Sequence, residues 1–221
     1  MTQRSFAAPA LPAAPLHLEG PEAGQRLYAL AAAETPAQGL YLRHADLTGE
    51  NMAGMSFSGC VLEDCRFSGA ALEKAAFTDC VLRRCELSGA DLRDSYQLRC
   101  AWEGCRALGA NLCGAVVRST AFSGCGLGML RLEDARLDQV RLTDCRLDGA
   151  LLVHLSLKGL ALSDCDLSGA CFTGTPLRGV DLRGCTLAGV SAGETLREFR
   201  GAVVDVPGAM ELARLLGVEI R

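Results

Sequence analysis

The sequence predicts an all-β solenoid, a four-sided parallel β-helix, because two nested periods run through a core of small, uniform side chains. A position that is almost always Leu or Phe recurs every five residues from Leu42 to Leu187 without a break in register. A period of 20 residues is nested within it and places cysteines at 65, 85, 105, 125, 145, 165 and 185. Period five fits neither an α-helix nor a flat strand. Four five-residue sides, however, close a square coil of 20 residues.

Each five-residue side should turn two side chains inward, one large and one small. The small position lies two residues before the large one and is mostly Ala or Cys, as at Ala45 and Cys65. Two residues after the large position, at one corner of every coil, Gly recurs at 49, 69, 89, 109, 149, 169 and 189, with Met129 the exception. Glycine at a fixed corner is typical of a turn that needs positive φ.

The five-residue segments that begin at Ala45, Ala90 and Ala110 read Ala-Asp-Leu or Ala-Asn-Leu, followed by two variable residues. They resemble the signature of the pentapeptide-repeat family, and the resemblance extends over roughly residues 40–190. It implies a right-handed quadrilateral parallel β-helix of pentapeptide repeats. With about seven and a half coils about 4.8 Å apart, the rod would be roughly 36 Å long.

The two ends depart from the repeat and predict three segments. Residues 1–38 are expected to be an Ala- and Pro-rich segment that is partly disordered up to Leu16, with a short helix over 25–33. Residues 39–191 form the β-helix, and residues 192–221 form a C-terminal capping and dimerisation segment. Asp205 and Pro207 are typical of a helix start, so a helix is predicted at about 206–216. A solenoid needs such caps because each end exposes an apolar cross-section.

Composition and charge exclude several functional classes. The net charge is −4, with acidic and basic residues interleaved, which argues against direct binding of nucleic acid. No apolar run is long enough to span a membrane. The N-terminal stretch is broken by Pro9, Pro12 and Pro15 and does not resemble a secretory signal. We therefore expect a cytoplasmic protein that contacts neither nucleic acid nor membrane.

The twelve cysteines are interpreted as packing residues. Ten occupy the small inward column, where Cys replaces Ala as a small buried side chain. Only Cys113 and Cys171 fall on outward columns, so they are the candidate reactive thiols. No Cys-x-x-Cys motif occurs, and the histidines at 17, 44 and 154 do not belong to a recognisable catalytic or metal-binding motif. We predict no enzymatic activity, no metal and no cofactor.

The resemblance also implies a function. Bacterial pentapeptide-repeat proteins of about this length include those that confer quinolone resistance or self-immunity to gyrase poisons, acting as dimeric mimics of duplex DNA. One hypothesis is therefore a non-catalytic, DNA-mimicking modulator of DNA gyrase. The alternative is a general protein-interaction scaffold. The outward column Asp46, Arg66, Glu86, Arg106, Arg146 and Asp166 mixes both signs, whereas a phosphate mimic should present acids in rows.

Three sets of site residues and one apolar stripe follow from these hypotheses. A homodimer is predicted through the C-terminal helix, with Met210, Leu212, Leu215 and Leu216 at the interface. The repeat weakens near Gln97, so the outward Tyr96, Leu98 and Leu108 are candidates for an apolar partner surface. The acids proposed for a gyrase surface are Asp134, Asp138 and Asp144. A second apolar stripe, through Tyr41, Val61, Val81, Ala101 and Ala121, is expected to dock the N-terminal segment in preference to a partner.

Overall fold

Two parallel β-sheets run along the molecule in the computed structural model, which describes residues 7–220. Paired residues in neighbouring strands are 20 positions apart in sequence. The first pair of strands differs, because Leu16 pairs with Leu40, 24 positions later. Sheet A has eight strands, which are Leu16–Glu19 (β1), Leu40–Arg43 (β3), Val61–Glu63 (β5), Val81–Arg83 (β7), Ala101–Glu103 (β9), Ala121–Ser123 (β11), Arg141–Thr143 (β13) and Ala161–Ser163 (β15). Sheet B has seven, which are Ala37–Gln38 (β2), Ser56–Ser58 (β4), Ala76–Thr78 (β6), Tyr96–Leu98 (β8), Val116–Arg118 (β10), Arg136–Asp138 (β12) and Ser156–Lys158 (β14).

The remaining two sides of each coil are too short to form extended strands, and they pair through single parallel bridges. One side runs from Asp46↔Arg66 to Asp166↔Thr186, and the other runs from Asn51↔Ala71 to Cys171↔Ser191. All four sides therefore pair with the equivalent side of the next coil along the rod as far as β14 and β15. The predicted fold class is confirmed: the chain is a β-solenoid of about seven turns with a short C-terminal helix.

The core lies inside the rod along its whole length. The large inward column is buried, as at Leu47 and Phe67, and so is the small column, as at Ala45 and Cys65. Aromatic side chains stack from coil to coil where two of them are neighbours. The rings of Phe57 and Phe77, for example, are parallel with centroids 4.8 Å apart. A solenoid of this kind is stabilised mainly by contacts between adjacent coils.

The N-terminal helix differs from the prediction. It spans Gly20–Ala32 (α1) and so begins five residues before the expected 25–33. Pro21 has the fixed φ suited to the first helical turn, and Leu27 and Leu30 are buried against the first coil. β1 precedes the helix and adds a strand to sheet A, so the expected disorder does not reach Leu16. Residues 1–6 lie outside the described part of the chain.

At the other end, the C-terminal helix spans Val206–Leu215 (α2), close to the predicted 206–216. Before it, residues 192–204 form an irregular last coil that includes a 3-10 helix at Arg197–Phe199. The bridge Asp181↔Val203 joins residues 22 positions apart, so this coil holds two extra residues. Within residues 7–220, no helix combines the length and apolar character needed to cross a membrane.

Candidate functional site

The outer charges are largely paired between adjacent coils. Arg66 Nη2 lies 2.5 Å from Asp46 Oδ2, and Arg99 Nη2 lies 2.5 Å from Asp79 Oδ2. The hydrogen bond from Arg99 holds the pKa of Asp79 below its usual value. In each pair the residues are 20 positions apart and occupy equivalent sites on neighbouring coils. The surface is therefore a mosaic of both signs.

The three predicted acids do not form one surface. Asp138 belongs to β12 in sheet B and lies 3.5 Å from Arg118 and 3.9 Å from Lys158. Asp134 lies two residues before that strand, 3.7 Å from His154 Nδ1. Asp144 follows β13 at the far edge of sheet A and is exposed. The three acids are close in sequence, but the corners of the coil place them on different sides of the rod.

The predicted apolar surface is divided in the same way. Tyr96 and Leu98 both lie in β8 of sheet B and are half-buried. Leu108 lies on the side of the coil that follows sheet A, and it is 54% exposed. The structure therefore separates Leu108 from the other two residues.

Leu108 instead belongs to an apolar patch that the sequence analysis did not identify. A Cβ added at Gly128 would meet Leu108 Cδ1 at 3.2 Å and Asp148 Oδ2 at 3.1 Å, so the leucine side chain and the Asp148 carboxylate both lie over that glycine. The next residue, Met129, is 63% exposed and has a φ of 53° at the corner where other coils have Gly. We call Leu108, Gly126, Gly128 and Met129 the Leu108–Met129 patch. The signal in the sequence was Met at a glycine corner.

The C-terminal end of the rod is a second apolar region. Leu212 and Leu215 pack against the core, whereas Met210 and Leu216 are 36% and 70% exposed. The four residues predicted for the dimer interface are thus divided between the cap and the outer surface. Further exposed apolar side chains at this end are Val206, Val218 and Ile220.

The N-terminal segment lies along the corner between sheets B and A. The Ala10 amide donates to Asp79 Oδ1 at 3.0 Å, and the Pro12 ring lies next to the corner glycines 39 and 59. Val61 and Val81 point outward from the adjacent strands, yet only 5% and 4% of them is exposed. These contacts lie beside the stripe that contains the two valines, and docking of the N-terminus on the stripe itself stays a prediction.

All twelve cysteines are free thiols; ten are buried, and Cys113 and Cys171 are half-buried. A hydrogen bond with Cys125, together with burial, raises the pKa of Cys145 to about 11. Burial also raises the pKa of Cys113. For Cys171, burial raises the pKa, but hydrogen bonds that involve Thr173 and Ser191 outweigh it, so the net pKa lies below the usual thiol value. Residues 7–220 contain no group of three or more His, Cys, Asp or Glu arranged to hold a metal.

Stacked coils of five-residue sides with paired inward columns define a repeat protein, and comparison identifies its family. The family model described as "Pentapeptide repeats (8 copies)" matches the chain five times, over residues 38–70, 60–96, 131–169, 145–184 and 161–192. These matches cover more than half of the 221 residues, and the chain belongs to the pentapeptide-repeat family.

Solved structures with the same fold include HetL from the cyanobacterium Nostoc, a pentapeptide-repeat protein involved in regulating heterocyst differentiation. It is 22% identical, with a TM-score of 0.51, over 87% of this chain and 90% of that one. A trypsin-treated form of QnrB1, a plasmid-mediated fluoroquinolone resistance protein, is 24% identical, with a TM-score of 0.37, over 94% and 98% of the two chains. A comparison with curated protein sequences gave no match.

Proposed function

We propose that this protein is a non-catalytic protein-binding scaffold that dimerises through its C-terminal end. The observation that carries the proposal is the Leu108–Met129 patch. Two large apolar side chains, Leu108 and Met129, are 54% and 63% exposed on adjacent coils of the rod, on either side of the buried Gly128. A contiguous apolar patch with polar surroundings is typical of a protein-interaction site.

The cavity beside the N-terminal helix holds no pair of titratable groups, unlike a second cavity of about 410 Å³ at the C-terminal end, which is lined in part by Asp205 and Glu211. A cavity of about 430 Å³ lies between the end of α1 and the first coils, and Glu34 is the only titratable residue among those that line it. A general acid–base or nucleophilic mechanism needs at least two convergent groups. The core elsewhere is filled by Leu, Phe, Ala and Cys.

The proposed dimer rests on the exposed apolar side chains at the C-terminal end. Val206 and Leu216 are 74% and 70% exposed, and Val218 is 51% exposed. Pairing two such ends would bury these side chains and leave both rods free to bind partners. A C2 arrangement would place the same surface on both subunits.

Modulation of DNA gyrase is the second candidate. The observation that favours it is a short acidic row, because Asp144 and Asp164 are exposed at equivalent corners of adjacent coils, where coils are about 4.8 Å apart. Duplex DNA presents regularly spaced negative charge to its protein partners. Beyond this row, the acids are interleaved with Arg residues that pair with them, which favours the scaffold over the mimic.

One experiment separates the two candidates. We expect partners captured from the native host by the wild-type protein to be lost with Leu108→Ser and Met129→Ser and retained with Leu16→Ser, a matched change at a 55% exposed leucine. In parallel, a supercoiling assay measures gyrase inhibition by wild type and by Asp144→Lys with Asp164→Lys. Inhibition that is lost in the charge-reversed variant and weakens steeply with salt supports the gyrase candidate. Capture that is unchanged by the patch substitutions contradicts the scaffold proposal.

A further inference from the structure

The backbone ladder is interrupted on two of the four sides near the C-terminal end of the rod. Sheets B and A end at β14 and β15, and no backbone hydrogen bond joins residues 155–164 to residues 175–184. The other two sides of the same coils remain joined through the bridges Asp166↔Thr186 and Cys171↔Ser191. The two coils therefore form a wedge that opens along the sheets beyond Thr175, whose hydroxyl donates to the Leu152 carbonyl at 2.7 Å and joins the coils at one corner.

A proline explains the break in sheet B. In the preceding coil the Ser156 amide donates to the Ala135 carbonyl at 3.0 Å. Pro176 occupies the equivalent position one coil later and has no N–H to donate to the Leu155 carbonyl. Proline in the interior of a sheet removes a ladder bond and is found at edges.

Large inward side chains accompany the break on both sheets, although Met55 and Leu130 occupy the same column elsewhere with the ladder intact. Leu155 and Leu160 occupy the column of small residues, where an earlier coil has Ala75 and Cys80. Extra methylene groups in a packed core displace the neighbouring backbone. The Leu155 amide hydrogen-bonds to the Thr175 hydroxyl at 2.9 Å instead of a backbone carbonyl.

The wedge exposes inward-facing groups that are enclosed elsewhere. Leu157 and Leu160 point to the core but are only half-buried. A cavity of about 30 Å³, lined by leucines, Phe172 and Thr175, reaches these two residues. The amides of Leu157 and Gly159 make no backbone hydrogen bond, whereas the equivalent Gln139 amide donates to Lys158 at 2.7 Å. We call residues 155–160 and 175–180 together the Pro176 cleft.

The mouth of the Pro176 cleft on the side of sheet B is basic. Lys158 and Arg178 are exposed on its two edges, and Arg136 and Arg200 are exposed along the same side. Asp138 and Glu198 are the acids on this side. Asp138 lies within 4.0 Å of both Arg118 and Lys158, and the Glu198 carboxylate accepts the amides of Gly174 and Gly193. Net positive charge beside an open strand edge favours an acidic ligand.

We propose that the Pro176 cleft binds a short, extended segment of a partner protein that carries acidic and apolar side chains in alternation. Unpaired N–H and C=O groups on a strand edge bind an added strand. Alternate side chains of such a segment would meet Leu157 and Leu160 on one face and Lys158 and Arg178 on the other. The proposal goes beyond the scaffold function, because this cleft and the Leu108–Met129 patch are on different sides of the rod and are tested by different variants.

The test uses the full-length protein and a fluorescently labelled synthetic peptide of alternating Glu and Val. We expect saturable binding by anisotropy, with protection of the Leu157 and Gly159 amides in hydrogen exchange. Charge reversal by Lys158→Glu with Arg178→Glu should weaken binding at least about tenfold. The matched control, Lys74→Glu with Arg106→Glu, changes the net charge equally at two exposed cations elsewhere and should retain affinity.

Two further arms separate strand pairing from general charge attraction. Pro176→Val restores the missing amide and should abolish binding while unfolding as cooperatively as wild type. The same peptide with N-methylated backbone amides should not bind wild type, whatever the stability of the variant. Equal loss in the matched control, binding that survives N-methylation, or no protection of Leu157 and Gly159 overturns the proposal.

Discussion

Asp205 links the C-terminal helix to the last regular coil, because its Oδ2 accepts the amide of Gly184 at 3.0 Å. Its Oδ1 accepts the amide of Gly208, also at 3.0 Å, and so caps α2. The same carboxylate thus satisfies a helix N-terminus and a corner of the rod. Both backbone amides bond more strongly to the ionised Asp205 carboxylate than to the protonated one.

This double contact predicts a pH-dependent cap. The two backbone bonds hold the folded-state pKa of Asp205 below the usual 3.8. Because the folded pKa is lowered, the stabilisation is fully present above 3.8 and is lost as the pH falls through the folded value. We expect the amides of α2 to lose protection from hydrogen exchange below this pH before those of sheets A and B. Asp205→Asn should remove most of that dependence, and an unchanged acid profile in this variant would contradict the assignment.

Gln97 should be a destabilising residue of the core. It is fully buried in the large inward column, and neither side-chain amide atom has a hydrogen-bond partner. A buried polar group without a partner costs about 1–3 kcal/mol. We therefore expect Gln97→Leu to raise the free energy of unfolding by about that amount in guanidinium titration. The exposed Gln38→Leu is the control and should change stability little, and a loss of stability in Gln97→Leu would show that the amide has a role in the fold.

The thiols should differ sharply in reactivity. We expect native-state maleimide labelling, followed by mass spectrometry, to modify only Cys171 and Cys113, and all twelve cysteines after denaturation. Cys171 should react first, because its pKa is lowered whereas that of Cys113 is raised. Cys125→Ala should cost about 1 kcal/mol, as the loss of one small buried group. Rapid labelling of the ten inward thiols in folded protein would contradict their burial.

The C-terminal leucines should separate into two functional groups. Leu216→Glu should convert a dimer to a monomer in light scattering with little change in stability, because this side chain is 70% exposed. Leu212→Ala should instead lower stability by about 1–3 kcal/mol, since Leu212 packs against the core. A wild-type protein that scatters as a 23.3 kDa monomer at micromolar concentration would exclude the dimer.

The sequence predicts the coil well and the ends less well, for physical reasons. A five-residue register from Leu42 to Leu187 leaves one way to bury both inward columns, so the core follows from the pattern alone. The strand β1 lies outside the five-residue repeat, and it forms only because the edge of β3 is available to pair with it. The partner surfaces were predicted from proximity in sequence, which the corners of a square coil do not preserve. Two large residues in the small column, Leu155 and Leu160, and a proline at 176 are the sequence features that accompany the cleft. They do not predict it, because the five-residue register continues through all three positions.

The interrupted ladder also bears on how the rod unfolds. Stability in a solenoid is approximately a sum over coils and the interfaces between neighbours, so cooperativity is only as strong as the weakest interface. Between residues 155–164 and 175–184 that interface keeps its bridges on two sides only. The chain is thus divided into a long N-terminal unit and a short C-terminal unit that includes α2. Opening at this boundary would release the C-terminal unit while the longer unit stayed folded.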